Sequence, residues 1–304
     1  MISLISKRAE LTEKAVEIKG RSLWDDAIAR LMRNQAAVTG MVLLSIITLL
    51  AILAPLIGDL TGNAYDELDY EYIYGPPSLE GNHFFGTDGN GRDLFVRTLY
   101  GARTSLAIGV VATAVSLLIG VIWGATAGFI GGRVDELMMR FVDVLYSLPY
   151  IFFVIILLTI FGRNFILLFV AIGAVEWLTM ARIVRSQTVS IKRKEFIEAA
   201  EAAGVDAFTM IRRHIIPNVM GPVVVYVTLT IPVVILAESF LSFLGLGVQE
   251  PNTSWGRLIS EGARDALEQA PWMMAFPAAF MAATLFCFNF IGDGLRDALD
   301  PKDR

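Results

Sequence analysis

Six long apolar segments alternate with polar segments along the chain, and this pattern predicts a set of transmembrane helices. The segments cover residues 38–57, 104–130, 144–162, 164–181, 219–237 and 271–292. A helix needs roughly 20 apolar residues to cross the hydrocarbon core of a bilayer. Five of the segments contain no Asp, Glu, Lys or Arg, and the fourth contains only Glu176. We therefore predict an all-α polytopic membrane protein with six transmembrane helices.

The basic residues predict the orientation of these helices. Nineteen of the 25 Lys and Arg residues fall before the first span, in residues 131–143 and 182–218, or after residue 292. Only six fall in the other connecting segments. Because Lys and Arg are enriched on the cytoplasmic side, both termini are predicted to be cytoplasmic. Residues 1–37 then form a cytoplasmic segment, 58–103 an outer loop, 182–218 a cytoplasmic loop and 293–304 a cytoplasmic tail, around a membrane domain at 38–292.

The end of the N-terminal segment has the pattern of an amphipathic helix. Between residues 21 and 34, Trp24, Ile28 and Leu31 share one helical face. We expect this helix to lie in the cytoplasmic interface of the bilayer, where Arg30 and Arg33 contact lipid phosphates. A plain polar leader is the alternative interpretation.

Composition excludes several functional classes. Hydrophobic residues make up 55% of the chain and charged residues 18%, which excludes a disordered protein. The single cysteine excludes a disulfide scaffold, because it has no partner within the chain. With only two histidines, few residues remain that could bind a metal ion. A formal net charge of −5 gives no indication of nucleic-acid binding. No nucleophile elbow, HExxH motif or other catalytic constellation occurs, so we expect neither an enzyme nor a cofactor.

Two features of the predicted spans concern packing and the path of a substrate. The second span carries small residues at every fourth position, which are Ala112, Ser116, Gly120, Gly124 and Gly128. Such a stripe lets two helices approach closely, either within the chain or at a subunit interface.

The carboxylates Glu176 and Glu238 lie near span ends and are candidates for intersubunit hydrogen bonding or for the substrate path. Prolines in and beside the spans, Pro149 among them, permit kinks.

The cytoplasmic loop 182–218 has the pattern of a folded protrusion. Residues 186–203 favour a helix that ends at Gly204, a residue type typical of helix C-termini. Asp206 is a suitable N-cap for a short second helix over residues 207–214, and Pro217 is expected to end it.

This loop resembles the EAA loop of ABC importer permeases. The similarity rests on Glu198-Ala199-Ala200, on Gly204 four residues later, and on the run from His214 to Asn218, with Ile216 where the family usually has Leu. The resemblance implies a type I ABC importer permease fold in which the short helix docks on a cytoplasmic ATPase. The residues that it assigns to coupling are Glu198, Ala199, Ala200, Gly204, Phe208, Arg212, Arg213, His214 and Pro217.

Flanking motifs narrow the resemblance to permeases of the dipeptide and oligopeptide importers. These are the segments 83–88, 91–93 and 100–103, then 238–247 with 254–256, and finally 288–301. Residues 20–24 fit the C-type permease subunit of the oligopeptide transporters. The resemblance implies uptake of peptides across a bacterial inner membrane. It also implies a homologous second permease, two cytoplasmic ATPase subunits and a periplasmic peptide-binding protein, which the acidic loop 58–103 could help to dock.

The sequence is consistent with a transporter subunit that does not bind ATP itself and depends on a partner for energy. No Gly-Lys dipeptide occurs, so the chain has no phosphate-binding P-loop of its own. A dipeptide or nickel importer remains an alternative within the family. A stand-alone secondary transporter would carry an internal repeat or broken helices with midplane ionisable residues, and no clear repeat is evident between residues 38–162 and 164–292. A membrane enzyme would need paired catalytic groups at one depth.

Overall fold

The computed structural model describes residues 23–79, 81–162, 165–265 and 268–300. The predicted similarities at residues 20–22 and 301 therefore lie outside the described residues. Helices dominate the described part of the chain, where an isolated bridge between Thr87 and Asp93 is the only β-type pairing. The helices are α1 (Leu23–Leu31), α2 (Gln35–Ile52), α3 (Ala54–Thr61), α4 (Leu94–Ile130), α5 (Gly132–Ser147), α6 (Tyr150–Phe161), α7 (Phe165–Lys192), α8 (Glu195–Ala202), α9 (Ala207–Met210), α10 (Ile216–Phe243), α11 (Trp255–Asp265) and α12 (Trp272–Leu299).

Five helical stretches among the described residues are long and apolar enough to cross a bilayer. They are Gln35–Ile52, Leu94–Ile130, Ile166–Lys192, Ala207–Phe243 and Trp272–Leu299. Helices α5 and α6 form a sixth candidate, although they meet at an angle of 84°. The all-α polytopic fold predicted from the sequence is therefore confirmed, with five spans or with six when the bent pair counts as one.

The bend between α5 and α6 lies within the span predicted for residues 144–162, at a proline that was expected to permit a kink. Helix α5 ends at Ser147, and Leu148 and Pro149 have extended backbone conformations. Proline disfavours the helical conformation of the residue before it, and Pro149 therefore accounts for the break at Leu148. Pro222, Pro232 and Pro277, by contrast, lie inside continuous helices.

Helices α4 and α7 pack closely along the stripe of small residues. A Cβ atom on Gly120 would lie 2.5 Å from Met180, and one on Gly128 would lie 2.8 Å from the carbonyl oxygen of Arg185. The stripe therefore faces another helix of the same chain. This excludes a subunit interface along these glycines, which was one of the two predicted uses of the stripe.

Helix α11 is anchored to α4 through its first residue, Trp255. The buried Trp255 donates from its backbone nitrogen to Ser105 Oγ at 3.1 Å and from Nε1 to the carbonyl oxygen of Thr98 at 3.1 Å. The start of α11 packs closely against two other helices. A Cβ on Gly101 of α4 would lie 3.2 Å from the Trp255 nitrogen, and a Cβ on Gly256 would collide with Ser239 of α10.

The N-terminal helix α1 covers part of the predicted amphipathic segment. Trp24 and Ile28 are exposed, as expected for a face that contacts lipid. Ala27 is buried instead, and Leu31 packs beside Gly294 of α12. Leu31 therefore contacts the protein rather than sharing the exposed face with Trp24 and Ile28.

Candidate functional site

The predicted coupling loop is a compact helical segment, hereafter the coupling segment (residues 195–215). Helix α8 ends before Gly204, whose φ of +81° lies in the left-handed region. The Gly204 nitrogen donates to the Glu201 carbonyl oxygen at 3.0 Å, and the Val205 nitrogen donates to the Ala200 oxygen at 3.2 Å. Among the described residues, apart from its two chain neighbours, none has an atom within 4 Å of the position that a Cβ on Gly204 would occupy. The backbone conformation, and not a lack of space, therefore favours glycine here.

Asp206 begins the second helix of the coupling segment as predicted. One of its carboxylate oxygens accepts a hydrogen bond from the Thr209 backbone nitrogen at 3.0 Å. This bond holds the pKa of the Asp206 carboxyl below its ordinary value. The carboxylate is the better acceptor, and it also complements the positive end of the helix dipole.

The helix that follows does not end at Pro217, contrary to the prediction. Residues Ile211–Ile215 form a π-helical turn that leads directly into α10. The wider turn accommodates a proline that lacks a backbone donor, and the Asn218 side chain donates to the His214 carbonyl oxygen at 2.7 Å. The second helix of the coupling segment is therefore continuous with a membrane span.

The coupling segment has one buried face and one exposed face. Ile197, Met210 and Ile215 are fully buried against residues of α4 and α7, including Phe129 and Val184. On the other face Phe208 is 71% exposed. The remaining predicted coupling residues that are exposed are Glu198, Ala199, Gly204, Arg212, Arg213 and Pro217. Ala200 and His214 are half-buried.

The two predicted membrane carboxylates have different surroundings. Glu238 is fully buried, and its Oε1 accepts hydrogen bonds from Ser242 at 2.6 Å and from Ser254 at 2.8 Å. These bonds connect α10 to the start of α11 and indicate a positioning role within the chain. Glu176 is half-buried and lines a cavity of about 620 Å³ between α7, α10 and the bend at residues 148–149.

Salt bridges also fix the helix that precedes the bend. Arg185 of α7 donates to Asp135 of α5 through Nε at 2.9 Å and through Nη2 at 2.5 Å. Arg182 donates to Asp143 at 2.7 Å. Asp143 at the predicted start of the third span thus pairs with α7.

Six charged side chains form a cluster at the predicted outer end of the spans, and the sequence did not predict this cluster. Arg97 bonds Asp88 and, at 3.2 Å, Glu261 of α11, while Arg92 bonds Asp88 at 2.7 Å. The outer cluster consists of Asp88, Arg92, Arg97, Glu250, Arg257 and Glu261. The cluster joins segments that lie more than 150 residues apart along the sequence. The Gly91-Arg92-Asp93 motif was therefore its only indication in the sequence.

Asp93 is the N-cap of α4. Its Oδ1 accepts a hydrogen bond from the Val96 nitrogen at 2.8 Å, and its Oδ2 lies 2.9 Å from His83 Nδ1. Burial raises the pKa of the Asp93 carboxyl, although the Val96 amide and His83 oppose this effect. Arg103 of the same helix is exposed.

Comparisons with known proteins extend over nearly the whole chain. The family of binding-protein-dependent transport system inner membrane components matches residues 117–304, and the N-terminal transmembrane domain of oligopeptide transport permease C matches residues 22–77. The oligopeptide transport system permease protein of Escherichia coli K12 is 54% identical over 98% of both chains. The corresponding protein of Haemophilus influenzae is 54% identical over 95% of this chain and 92% of its own.

A dipeptide permease is less similar. The dipeptide transport system permease protein of Bacillus subtilis is 43% identical over 97% of this chain and 91% of its own length. Together with the multiple membrane-spanning helices, these matches identify a multi-pass inner-membrane permease subunit. The chain belongs to the family of binding-protein-dependent transport system inner membrane components.

Proposed function

We propose that this chain is one of the two permease subunits of an ATP-driven oligopeptide importer. The observation that carries the proposal is the 54% identity, over nearly the full length, to permeases named for oligopeptide transport. Named oligopeptide permeases are 45% to 54% identical to this chain and named dipeptide permeases are 39% to 43% identical, a narrow difference that favours oligopeptides. A peptide cannot cross lipid unaided, because each unsatisfied peptide group costs several kcal/mol in hydrocarbon. A water-lined path between the spans of two subunits removes this cost.

The importer assembles from several subunits. A second, homologous permease completes the path, two cytoplasmic ATPases supply energy, and a periplasmic peptide-binding protein delivers the cargo. The termini and residues 182–218 lie in the cytoplasm, while residues 58–103 lie outside. The distribution of basic residues supports this orientation.

The coupling segment transmits the motion of the ATPases. Phe208 and its exposed neighbours Arg212 and Arg213 dock on an ATPase, because a large exposed aromatic side chain beside basic groups is typical of a protein contact. Closure of the ATPases displaces residues 204–214. The π-helical turn and α10 carry this displacement into the membrane, and the spans rock toward an outward-facing state. Hydrolysis and release return them.

The docking role of Phe208 is tested in the purified, reconstituted transporter. F208A should lower ATP-dependent uptake of a labelled oligopeptide at least ten-fold and should weaken copurification of the ATPases. F286A is the matched control, because Phe286 is equally large, is 61% exposed and lies on α12, away from the coupling segment. Normal uptake by F208A would contradict the coupling assignment. Failure of the wild-type transporter to take up any oligopeptide would contradict the proposed substrate.

A further inference from the structure

The cavity beside Glu176 lies where the membrane helices leave regular geometry. Its lining includes residues 145–149, where α5 ends and α6 begins, together with Thr179 of α7 and Tyr226 of α10. Non-helical backbone at membrane depth is tolerated only where protein buries it or where it lines a water-filled cavity. The volume of about 620 Å³ falls within the range of small-molecule sites, so the cavity has room for part of a substrate.

Glu176 is the ionisable side chain of this cavity, and it carries a negative charge when it is ionised. It is the only charged residue among the described residues that line the cavity. Within the described part of the chain, no Lys, Arg or His forms a salt bridge with it. Arg182 lies nearby, with its guanidinium carbon 4.2 Å from the centre of the Tyr146 ring, but it is paired with Asp143 at 2.7 Å. A half-buried carboxylate that has no salt-bridge partner among the described residues favours a cation that arrives from outside the chain.

The end of α5 adds a second source of negative potential. The last carbonyl groups of a helix lack partners within it and carry the partial negative charge of the helix dipole. Ser147 and Leu148, which end α5, line the same cavity as Glu176. The last turn of α5 contains no basic residue that would neutralise this end.

We infer that Glu176 and the end of α5 form a subsite for the α-ammonium group of a peptide in transit. The inference rests on the proposed function and specifies how the path treats the charged N-terminus of its cargo. A desolvated ammonium is costly unless it is paired and hydrogen-bonded. The Glu176 carboxylate supplies the opposite charge, and the hydroxyl groups of Thr179 and Tyr226 line the cavity as further partners.

Charged thiol reagents test the potential of the cavity directly. Thr179 is replaced by cysteine in the assembled transporter, with C287A removing the only native cysteine of this chain and with cysteine-free partner subunits. A cationic methanethiosulfonate should label T179C at least ten-fold faster than an anionic reagent of similar size. E176Q should bring the two rates to within about two-fold. E136Q, which alters an exposed carboxylate on α5, should leave the ratio unchanged.

The outcomes separate the subsite from a structural role. Equal labelling by both reagents with Glu176 present, a ratio that E176Q leaves unchanged, or no labelling by either reagent would each overturn the inference. A merely structural Glu176 would alter both rates together and not their ratio.

Peptide protection tests the identity of the ligand. A tripeptide with a free amino terminus should slow labelling of T179C, whereas its N-acetylated form should not, and E176Q should abolish the difference. Equal protection by both peptides, or protection by neither, would overturn the assignment to the α-ammonium group.

ATP-driven uptake of the free tripeptide by the wild-type transporter is measured in the same vesicles. Absence of uptake would count against the proposed function, while the reagent ratio would still test the charge of the cavity.

Discussion

Gly124 of α4 packs directly against the backbone of α7 at Ala181. A Cβ atom on Gly124 would collide with the Ala181 carbonyl oxygen and would lie 2.9 Å from the Arg185 nitrogen. Both of these neighbours are backbone atoms, which cannot rotate away as a side-chain end can. The packing of α4 on α7 therefore depends on the absence of a side chain at this position.

Substitution of Gly124 by alanine should destabilise the folded subunit. Because the new methyl group forces the two helices apart, we expect a loss of about 1–3 kcal/mol. Thermal unfolding of the detergent-purified transporter measures this effect. G221A is the matched control, since Gly221 is a helical glycine whose Cβ position is open among the described residues. G221A should be neutral or slightly stabilising; equal stability of the two variants would contradict the close packing.

Gly204 should be replaceable by asparagine but not by valine. Its φ of +81° costs a residue with a branched Cβ about 1–2 kcal/mol, whereas asparagine tolerates the left-handed region. We expect G204V to insert into the membrane normally but to lower peptide-stimulated ATPase activity several-fold. G204N should retain most of the activity. Equal activity of G204V and wild type would show that the turn does not need this conformation.

Asp206 should make the start of α9 sensitive to acid. Because its folded pKa lies below the ordinary value of 3.8, its stabilising effect is present above that value and is lost as the pH falls through the folded pKa. Hydrogen exchange of the Thr209 amide is the measurement. D206A should exchange faster than wild type at neutral pH, and D206N should lie between them. Identical exchange in D206A and wild type would contradict the capping role.

Arg97 of the outer cluster should be essential to the stability of the subunit. R97M removes one cationic partner from the buried Asp88 and from its neighbour Glu261. Because Arg92 and Arg257 still pair with these carboxylates, we expect a loss below the roughly 3–5 kcal/mol that is typical when a buried charge is left without any partner. We expect the double variant D88N/R97M to recover part of the loss. R140Q is the control, because Arg140 pairs with Glu136 at 3.9 Å on the exposed surface and should contribute little. Thermal unfolding distinguishes these variants, and wild-type stability of R97M would contradict the result expected.

The sequence predicts those features that local patterns determine. The apolar runs locate the membrane helices because a bilayer requires a minimum apolar length. Gly204 and Asp206 indicate a turn and a cap, because each acts on backbone groups only a few residues away. The stripe of small residues indicates close packing, but it cannot indicate which helix lies against it.

Features that depend on contacts between residues far apart in the sequence could not be predicted from local patterns. The pairing of Arg97 with Glu261 crosses 164 residues of sequence. Pro217 indicates a helix end by its local chemistry, yet the π-helical turn before it lets the helix continue. Pro149 indicated a kink, but only the structure shows that the bend lines the cavity containing Glu176.

Reconstitution of this subunit into vesicles, alone and with its partners, tests the central claim most directly. The claim is that the chain is a gate driven through its coupling segment by separate ATPases. Accumulation of labelled oligopeptide against a gradient is measured with and without ATP. The account predicts accumulation only when the second permease, the ATPases, the binding protein and ATP are all present. Uphill accumulation by this chain alone would contradict it.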